Sequence, residues 1–196
     1  LKEKIKKVYP HINFILSKKN NGYGSGNNKI FRLAKTSHVL VLNPDTILSK
    51  NCINELIHQA NLIKNKFAIL APSEKNIIKK EIMEVDHVKG FSMLVNLSKI
   101  KKIKMFDENF FLYLEEIDLC KRLKLASEKI YICGKAKITH LSAKSSNIGF
   151  EFEKCRNWHW MWSKVYYNKK HKNFFYVLRS AFSTIFFNYT KGILFY

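Results

Sequence analysis

The feature that most constrains the fold of this chain is an apolar run, His38 to Leu42 (HVLVL), that stops abruptly at Asn43-Pro44-Asp45. A continuous apolar run of this length is typical of a strand that is buried on both faces of a parallel sheet. Pro44 has no backbone N–H to donate to a neighbouring strand, so the strand is expected to end there. The sequence therefore predicts a carboxylate, Asp45, at the edge of a buried sheet.

Strand and helix patterns alternate on both sides of this run. His11 to Ser17 has the apolar character of a short buried strand, and it leads through a Gly-rich turn into helical spacing after Asn28. Ser49 is placed to cap a helix that extends to about Lys64, and Phe67 to Ala71 predicts the next strand. Two strand–helix–strand units in succession predict an α/β fold. We expect a mostly parallel central sheet flanked by helices, with the ligand cleft beyond the carboxyl ends of the strands.

The second half of the chain predicts a helix, a last strand and a helical extension. Helical spacing runs from about Glu115 to Ala126, and Cys133 to His140 has the pattern of a strand. From Glu151 onward the sequence is helical and aromatic. We therefore expect an α/β domain over residues 1–149 and a helical C-terminal extension over residues 150–196.

The chain is strongly basic, with 35 Lys and Arg residues against 15 Asp and Glu residues and a formal net charge of +20. This charge favours a polyanionic partner, which nucleic acid, anionic lipid and diphosphate substrates would all satisfy. The four cysteines form no C-x-x-C pair, so neither a disulfide framework nor a zinc cluster is expected. A reducing cytoplasm agrees best with this cysteine usage.

The segment NNGYGSGNN, residues 20–28, is the first candidate for nucleotide binding. Gly22, Gly24 and Gly26 are similar to a dinucleotide fingerprint, but G-x-G-x-x-G would need a glycine where Asn27 stands. A dehydrogenase is therefore not expected. Glycines still let a backbone approach a nucleotide closely, and the same residues would also form an ordinary turn between a strand and a helix.

Two acidic positions carry more specific chemistry. Asp45 stands where a divalent ion that bridges a diphosphate would be held, although a turn-forming aspartate is an equally good interpretation. In a helix from Glu115, Glu116 shares one face with three apolar positions, Leu119, Cys120 and Leu123. A carboxylate at the mouth of an apolar face costs free energy unless it is paired or used, which suggests a function for Glu116.

The same helix carries two further acidic residues. Glu115 would either interact with the helix dipole or belong to the site. Asp118 and Arg122 are spaced i, i+4 on another face, and we expect a structural ion pair that contributes only a few tenths of a kcal/mol.

Five segments follow one another over about residues 11 to 146. They are NGYGSGNN (21–28), LNPDT (42–46), VKGFSML (88–94), FDENFFLYLEEIDLCKR (106–122) and THL (139–141) with Ser145. In this order and spacing they resemble glycosyltransferase family 2, particularly its rhamnosyltransferase-like branch. The resemblance implies the GT-A fold, which is Rossmann-like. It also implies an inverting transfer, in which an acceptor hydroxyl loses its proton to a carboxylate and attacks the anomeric carbon as a nucleoside diphosphate leaves.

The resemblance also implies roles for particular residues. Asp45 matches the last Asp of a metal-binding D-x-D element and would hold Mg²⁺ or Mn²⁺ on the diphosphate. His140 matches a histidine near the diphosphate, where it would bind the metal or donate a hydrogen bond, or else be structural. Glu116, beside Glu115, stands where the family usually has an Asp that acts as general base. Gly90 matches the glycine before the acceptor-side strand.

The remaining expected contacts to the nucleotide-sugar are made by Asn21, Gly22, Gly24, Asn27 and Asn43. Glu116 is one methylene longer than Asp, and misplacing a catalytic group by about 1 Å costs on the order of a hundredfold in rate. A non-catalytic relative is therefore one alternative. A nucleic-acid-binding module is another, but it explains the charge and leaves the ordered acidic motifs unexplained.

The resemblance extends to partners and to missing sequence. The expected donor is a dTDP- or UDP-sugar, and the expected acceptor is a glycan or a lipid-linked sugar in surface polysaccharide or lipopolysaccharide synthesis. Family members begin with a strand and a Val-Asp-Asn-like segment that nothing before Tyr9 matches. An N-terminally truncated sequence is therefore expected.

The C-terminal extension has two interpretations. Aromatic residues dominate 158–167, a basic run follows at 169–172, and Arg179 and Lys191 interrupt the apolar stretch from Phe174 to Tyr196. The stretch is too charged for a membrane span. The favoured interpretation is a helix in the plane of an anionic membrane surface, with the protein peripheral on the inner face of the plasma membrane. The alternative is a helix docked on the α/β domain.

Overall fold

The computed structural model describes residues 2–74, 80–141 and 150–194. Ser145, part of the last matched segment, lies outside these ranges. The described helices are α1 (Lys2–Val8), α2 (Tyr23–Leu33), α3 (Cys52–Leu62), α4 (Leu97–Lys102), α5 (Glu115–Leu125), α6 (Phe150–His171) and α7 (Phe174–Leu194). The described strands are β1 (His38–Leu42), β2 (Thr46–Leu48), β3 (Ile69–Glu74), β4 (Ile82–Glu84), β5 (Ser92–Asn96) and β6 (Ile130–His140).

The strands form one sheet in the order β1-β5-β3-β6-β2, and β4 pairs with β6 outside this order. The predicted α/β class with flanking helices is confirmed, but the predicted mostly parallel sheet is wrong. Among the described strands, β3 and β6 are parallel, whereas the other paired strands are antiparallel. β1 and β3 do run in the same direction, as strands joined by a helix usually do, because each is antiparallel to β5. The difference arises because β5 is inserted between them.

The predicted strand at His11 to Ser17 is also wrong. These residues form no strand, and most of them are exposed, including Leu16. A strand depends on hydrogen bonds to a neighbouring strand, and none of the described strands pairs with this segment. An apolar run alone was therefore not sufficient to predict a strand here.

β1 is less buried than its apolar sequence predicts. Val41 is its one buried residue, because β1 lies at the end of the described sheet with β5 on one side. The strand that is buried throughout most of its length is β3, which lies between β5 and β6. Position in the sheet therefore decides which apolar run is fully covered.

The core lies on both faces of the sheet. Ile69 of β3 belongs to a cluster that contains Phe31 of α2 and Leu119 of α5. The next residue, Leu70, belongs to a second cluster that contains Leu56 of α3. Because side chains alternate along a strand, α2 and α5 cover one face and α3 covers the other. The face of α5 that was predicted to be apolar is the face that packs against the sheet.

We expect Leu119→Ala to lower the free energy of unfolding by about 2–5 kcal/mol, because it removes a fully buried side chain and leaves a cavity. Leu125→Ala is the matched control, since Leu125 lies on the same helix but is 75% exposed. Urea denaturation of both variants measures the difference. Equal losses of stability would contradict the burial of this face of α5.

Candidate functional site

The end of β1 and the end of β6 bring Asp45 and His140 together. Thr46, the first residue of β2, pairs with His140 in the β2/β6 ladder, and the Leu141 amide donates to the Asp45 carbonyl oxygen over 2.9 Å. The Nε2 atom of His140 lies 3.2 Å from the Oδ2 atom of Asp45. The imidazole also stacks on the ring of Phe91, with 4.5 Å between the ring centroids. The two predicted metal-binding residues are therefore neighbours.

The Asp45 carboxylate has a property that suits a ligand. Its side chain is only 12% exposed, and its Oδ1 atom is buried without a hydrogen-bond partner in the described part of the chain. Such an atom carries a desolvation cost that a bound ion would offset. The described ranges hold no cluster of three or more His, Cys, Asp or Glu residues that could hold a metal ion. An ion at Asp45 and His140 would therefore draw its other ligands from a diphosphate or from water.

Asn43 is held at the same place through its backbone. Its amide donates to the Phe91 carbonyl oxygen over 2.8 Å, and its carbonyl accepts from the Thr46 hydroxyl over 2.6 Å. Asn43 thus connects the end of β1 to Phe91, just before β5. The structure places it beside the Asp45–His140 pair, as the sequence predicted.

The predicted catalytic residues begin helix α5. Tyr113 and Leu114 directly before the helix both have positive φ angles, of 73° and 66°. Non-glycine residues adopt this left-handed conformation at a cost in free energy, and they keep it only where surrounding contacts impose it. This turn directs Glu115 into the protein, where it is 5% exposed.

Burial changes the acidity of both glutamates. Burial, and then the charge of Glu116, raises the pKa of Glu115 to about 8. Burial also raises the pKa of Glu116 from the ordinary value of a glutamate. The Oε2 atom of Glu115 is buried and has no hydrogen-bond partner among the described residues. Two adjacent carboxyl groups whose pKa values are raised are typical of a site that handles protons.

Gly90 lies against Glu116, and its position reveals a further site residue. A Cβ atom built on Gly90 would lie 3.6 Å from the Glu116 Cβ atom and 3.6 Å from the Tyr23 hydroxyl. The Tyr23 hydroxyl donates to the Gly90 carbonyl oxygen. Burial, followed by the charges of Glu115 and Glu116, raises the pKa of Tyr23. Sequence reasoning missed Tyr23, and its position between two glycines was the one local signal.

The predicted Gly-rich loop is mostly helix, since α2 begins at Tyr23 and contains Gly24 and Gly26. Gly22 has a φ angle of 90°, and a Cβ atom there would overlap the backbone of Phe111. The Tyr23 amide donates to the Phe111 carbonyl oxygen over 3.0 Å. Gly22 therefore permits a close approach between α2 and the segment before α5. Its predicted contact to a nucleotide stays a prediction.

Two asparagines of this segment have different surroundings. The side-chain amide of Asn27 donates to the Tyr23 carbonyl oxygen over 3.1 Å, within α2. Asn21 is exposed and lines a cavity of about 310 Å³ together with Lys18, Lys19 and Lys29. The contacts described for Asn21 and Asn27 therefore do not define one common binding site.

Asp118 differs most from its expected role. The predicted ion pair with Arg122 is present, at 2.8 Å, but the Asp118 side chain has no exposed surface. Lys170 and His171 of α6 also approach its Oδ1 atom, at 2.7 and 2.8 Å. The expected structural pair is therefore part of a buried cluster, because α6 covers this face of α5. For α6, the docked arrangement is the one found.

The site thus consists of two parts that meet at Gly90 and Phe91. Gly90 lies against Glu116, and the next residue, Phe91, stacks on His140. A buried pair of glutamates and a candidate metal-binding pair are therefore joined by one dipeptide.

Solved structures with the same fold include complexes with a nucleotide or a nucleotide-sugar. The mannosyltransferase PcManGT from Pyrobaculum calidifontis, in complex with GDP-Man and Mn²⁺, has a TM-score of 0.65 at 9% identity over 92% of this chain and 55% of that chain. GalNAc-T7 with UDP, GalNAc and Mn²⁺ has a TM-score of 0.61 at 10% identity over 71% and 34% of the two chains. S. aureus TarS with UDP-GlcNAc has a TM-score of 0.55 at 15% identity over 81% and 52%. These similarities confirm the expected fold.

A model of the family Glycosyl transferase family 2 matches residues 1–133. The match covers more than half of the chain, so the chain belongs to this family. The family that the five sequence segments resemble is therefore confirmed.

Two relatives are similar in sequence. The low-salt glycan biosynthesis hexosyltransferase Agl10 of Haloferax volcanii is 30% identical over 158 residues, which is 66% of this chain and 52% of the relative. The rhamnosyltransferase WbbL of Escherichia coli K12 is 26% identical over 178 residues, which is 70% of this chain and 67% of the relative. The chain thus spans about half the length of the first relative and two thirds of the second.

We expect Glu115→Gln to change how stability depends on pH. A folded-state pKa of about 8, above the ordinary 4.5, contributes stability that is complete below the unfolded-state pKa and is lost as pH rises through 8. Glutamine does not titrate, so the free energy of unfolding of the variant lacks this loss. The difference in free energy of unfolding, variant minus wild type, should therefore be larger at pH 8 than at pH 4.5 by on the order of a few kcal/mol. Urea denaturation across this pH range measures the gain.

Glu55→Gln is the matched control, because Glu55 also lies in the first turn of a helix, α3. If the difference from the wild type changes no more with pH for Glu115→Gln than for Glu55→Gln, Glu115 is not a buried, protonated group.

Proposed function

We propose that this protein is a glycosyltransferase that moves a sugar from a nucleoside-diphosphate sugar to a hydroxyl acceptor, with inversion at the anomeric carbon. The observation that carries the proposal is the junction at Gly90 and Phe91, which contact Glu116 and His140. A base for the acceptor and a holder for the leaving diphosphate would then act on one sugar between them. Membership of glycosyl transferase family 2 supports the same reaction.

Glu116 is the proposed general base. Two adjacent buried carboxyl groups do not both ionise readily, and the pKa of Glu115 near 8 keeps that residue protonated at neutral pH. Glu116 is then left to carry the negative charge. Its raised pKa makes it a better proton acceptor near neutral pH than an exposed glutamate is. The acceptor hydroxyl would lose its proton to Glu116 as its oxygen attacks the anomeric carbon.

Gly90 is proposed to leave room for this attack. Any side chain at position 90 would begin at a Cβ atom in contact with Glu116 and the Tyr23 hydroxyl, and would therefore take up space beside the proposed base. The hydrogen bond from Tyr23 to the Gly90 carbonyl holds the backbone there. Tyr23 thus supports the position of Gly90 relative to the base.

Asp45 and His140 are proposed to hold the donor. The unpartnered Oδ1 atom of Asp45 and the adjacent imidazole suit Mg²⁺ or Mn²⁺. A divalent ion there would offset the negative charge that develops on the leaving diphosphate. Asn43 lies beside this pair, and Asn21, Gly22, Gly24 and Asn27 are proposed to contact the nucleotide.

The sugar classes are proposed from the relatives. The names of the two similar proteins support hexosyl or rhamnosyl transfer in glycan synthesis, such as that of surface polysaccharide or lipopolysaccharide. The solved structures of the same fold are complexes with UDP, UDP-GlcNAc or GDP-Man, and two of them contain Mn²⁺. We propose a dTDP- or UDP-sugar as donor and a glycan or lipid-linked acceptor.

We expect Asp45→Asn and Glu116→Gln each to lower kcat about 10²- to 10⁴-fold, because one loses charge at the diphosphate and the other loses the base. Release of nucleoside diphosphate from UDP-, dTDP- and GDP-sugars with Mn²⁺ or Mg²⁺ measures the change in kcat.

Two further variants serve as controls. Glu116→Asp, which has the usual family residue, should stay active. Glu55→Gln on α3 controls for loss of a glutamate elsewhere. Full activity of Glu116→Gln would disprove the assigned base.

The protein is also proposed to act as a peripheral protein on the inner face of the plasma membrane. Among the helices of the described ranges, none is long and apolar enough to cross a membrane. Phe174 and Phe175 at the start of α7 are 72% and 79% exposed, and the exposed Lys172 lies close to them in the sequence. Exposed aromatic rings beside cations suit an anionic membrane interface.

We expect the wild type to sediment with vesicles of phosphatidylglycerol and phosphatidylcholine, and Phe174→Ser/Phe175→Ser to sediment several-fold less. Leu62→Ser/Leu125→Ser is the matched control, because it also replaces two exposed apolar side chains, on α3 and α5. The control should bind like the wild type. Equal binding of both double variants would contradict a membrane-facing role for α7.

A further inference from the structure

One face of α6 contacts the segment of residues 107–118 along most of its length. The residues on this face recur at intervals of three and four, as on one side of a helix. They are Arg156, His159, Ser163, Tyr166 and Lys170. The 107–118 segment contains the left-handed turn and both glutamates of the site.

The contacts at the N-terminal half of this face hold the left-handed turn. The Arg156 Nε atom donates to the Tyr113 hydroxyl over 2.7 Å. The Ser163 hydroxyl, which is wholly buried, donates to the Leu112 carbonyl oxygen over 2.7 Å. The His159 ring stacks on Phe111, with 4.2 Å between centroids. A left-handed pair of non-glycine residues persists only where such contacts impose it.

The contacts at the C-terminal half are ionic. The Lys170 Nζ atom lies 2.6 Å from Asp107 and 2.7 Å from Asp118, so one cation joins the two ends of the segment. The Tyr166 hydroxyl also donates to Asp107, over 3.0 Å. Burial opposes the charge of Asp107, but hydrogen bonds from Lys170, Asn109 and Tyr166 outweigh it and lower its pKa to about 2.

Asp118 receives a further hydrogen bond from α6. The His171 Nε2 atom lies 2.8 Å from the Asp118 Oδ1 atom. Burial lowers the pKa of His171 although Asp118 opposes this shift, so a neutral imidazole donates this hydrogen bond at neutral pH. Asp118 lies two residues after Glu116, so these contacts act close to the proposed base.

We propose that Ser163, Tyr166, Lys170 and His171 of α6 position Glu115 and Glu116 for the reaction, by fixing the left-handed turn and the start of α5. The inference rests on the proposed function. These four are positioning residues, since their described contacts outside α6 are to the 107–118 segment and not to the glutamate side chains. Under this proposal, the C-terminal extension is part of the catalytic unit.

The test replaces Lys170 with methionine, which keeps the length of the side chain and removes the charge shared by Asp107 and Asp118. Lys170→Arg keeps the charge, and Lys169→Met makes the same change at the neighbouring exposed position. Tyr166→Phe is a milder second variant, because it removes the hydroxyl and keeps the ring on Phe110. Circular dichroism and thermal unfolding establish that each variant is folded.

We expect Lys170→Met to lower kcat about tenfold or more, while KM for the donor changes less than about twofold, because a displaced base affects the chemical step and not donor binding. Tyr166→Phe should show a smaller loss in kcat. Lys170→Arg should recover most of the activity, and Lys169→Met should match the wild type. Unchanged kcat in folded Lys170→Met and Tyr166→Phe would overturn the proposal.

The pH profile adds a readout that a merely structural role would not move. The titratable groups that interact with Glu116 are Glu115 and Cys120 on its own helix, Tyr23 of α2 and His87 before β5, and these groups are unchanged in the variants. If the turn relaxes and water enters, the pKa of Glu116 falls towards that of an exposed glutamate. The acidic limb of kcat/KM should then move to lower pH in Lys170→Met and stay in place in Lys169→Met.

Failure of the proposed function is distinguishable from failure of this inference. If the wild type releases no nucleoside diphosphate from any donor, the transferase proposal fails. Carboxyl ¹³C NMR titration of Glu115 and Glu116 then still tests the positioning role. A lower titration midpoint in Lys170→Met than in Lys169→Met would support it, and identical midpoints would overturn it.

Discussion

A wholly buried carboxylate, Asp118, connects the helix that begins with Glu115 to the C-terminal helix α6. Arg122 from its own helix and Lys170 and His171 from α6 all approach it within 2.8 Å. A buried charge is costly unless it is paired and hydrogen-bonded, and it becomes more costly when one partner is removed. The arrangement of α5 and α6 therefore depends on charge pairing as well as on apolar packing. Because Glu116 lies two residues before Asp118, the position of the proposed base depends on the same cluster.

The rest of the site depends on how short segments from distant parts of the chain meet. Gly90 and Phe91 lie at the centre, with Glu116 and Tyr23 on one side and the ring of His140 on the other. These segments meet because β5 is inserted between β1 and β3. In the mostly parallel sheet that the sequence predicts, β1 and β3 would be neighbours, and the residues before β5 would not lie beside the end of β1. The corrected topology is thus also what assembles the site.

Much of the site was nonetheless predictable. The apolar run before Pro44 correctly placed Asp45 just beyond the end of a strand. Proline has no backbone N–H to donate to a neighbouring strand, so it ends a strand locally. Helical spacing correctly placed the apolar face of α5 in the core. By contrast, Tyr23 was missed, and the expected ion pair of Asp118 and Arg122 did not include the burial of Asp118 or its partners on α6. Both omissions have one cause, since the partners Gly90 and His171 lie more than fifty positions away and leave no periodic pattern near Tyr23 or Asp118.

The α/β class, the start of α5 and the residues that end β1 and β6 follow from short-range spacing and side-chain chemistry, and the family followed from the resemblance of five segments. The direction of the strands beside β3, the absence of the predicted strand at His11 to Ser17, and the docking of α6 on the 107–118 segment came from the three-dimensional arrangement alone. A strand needs a neighbouring strand for its hydrogen bonds, and a buried charge needs a nearby opposite charge. Either partner can come from a distant part of the chain, so a local pattern does not specify it.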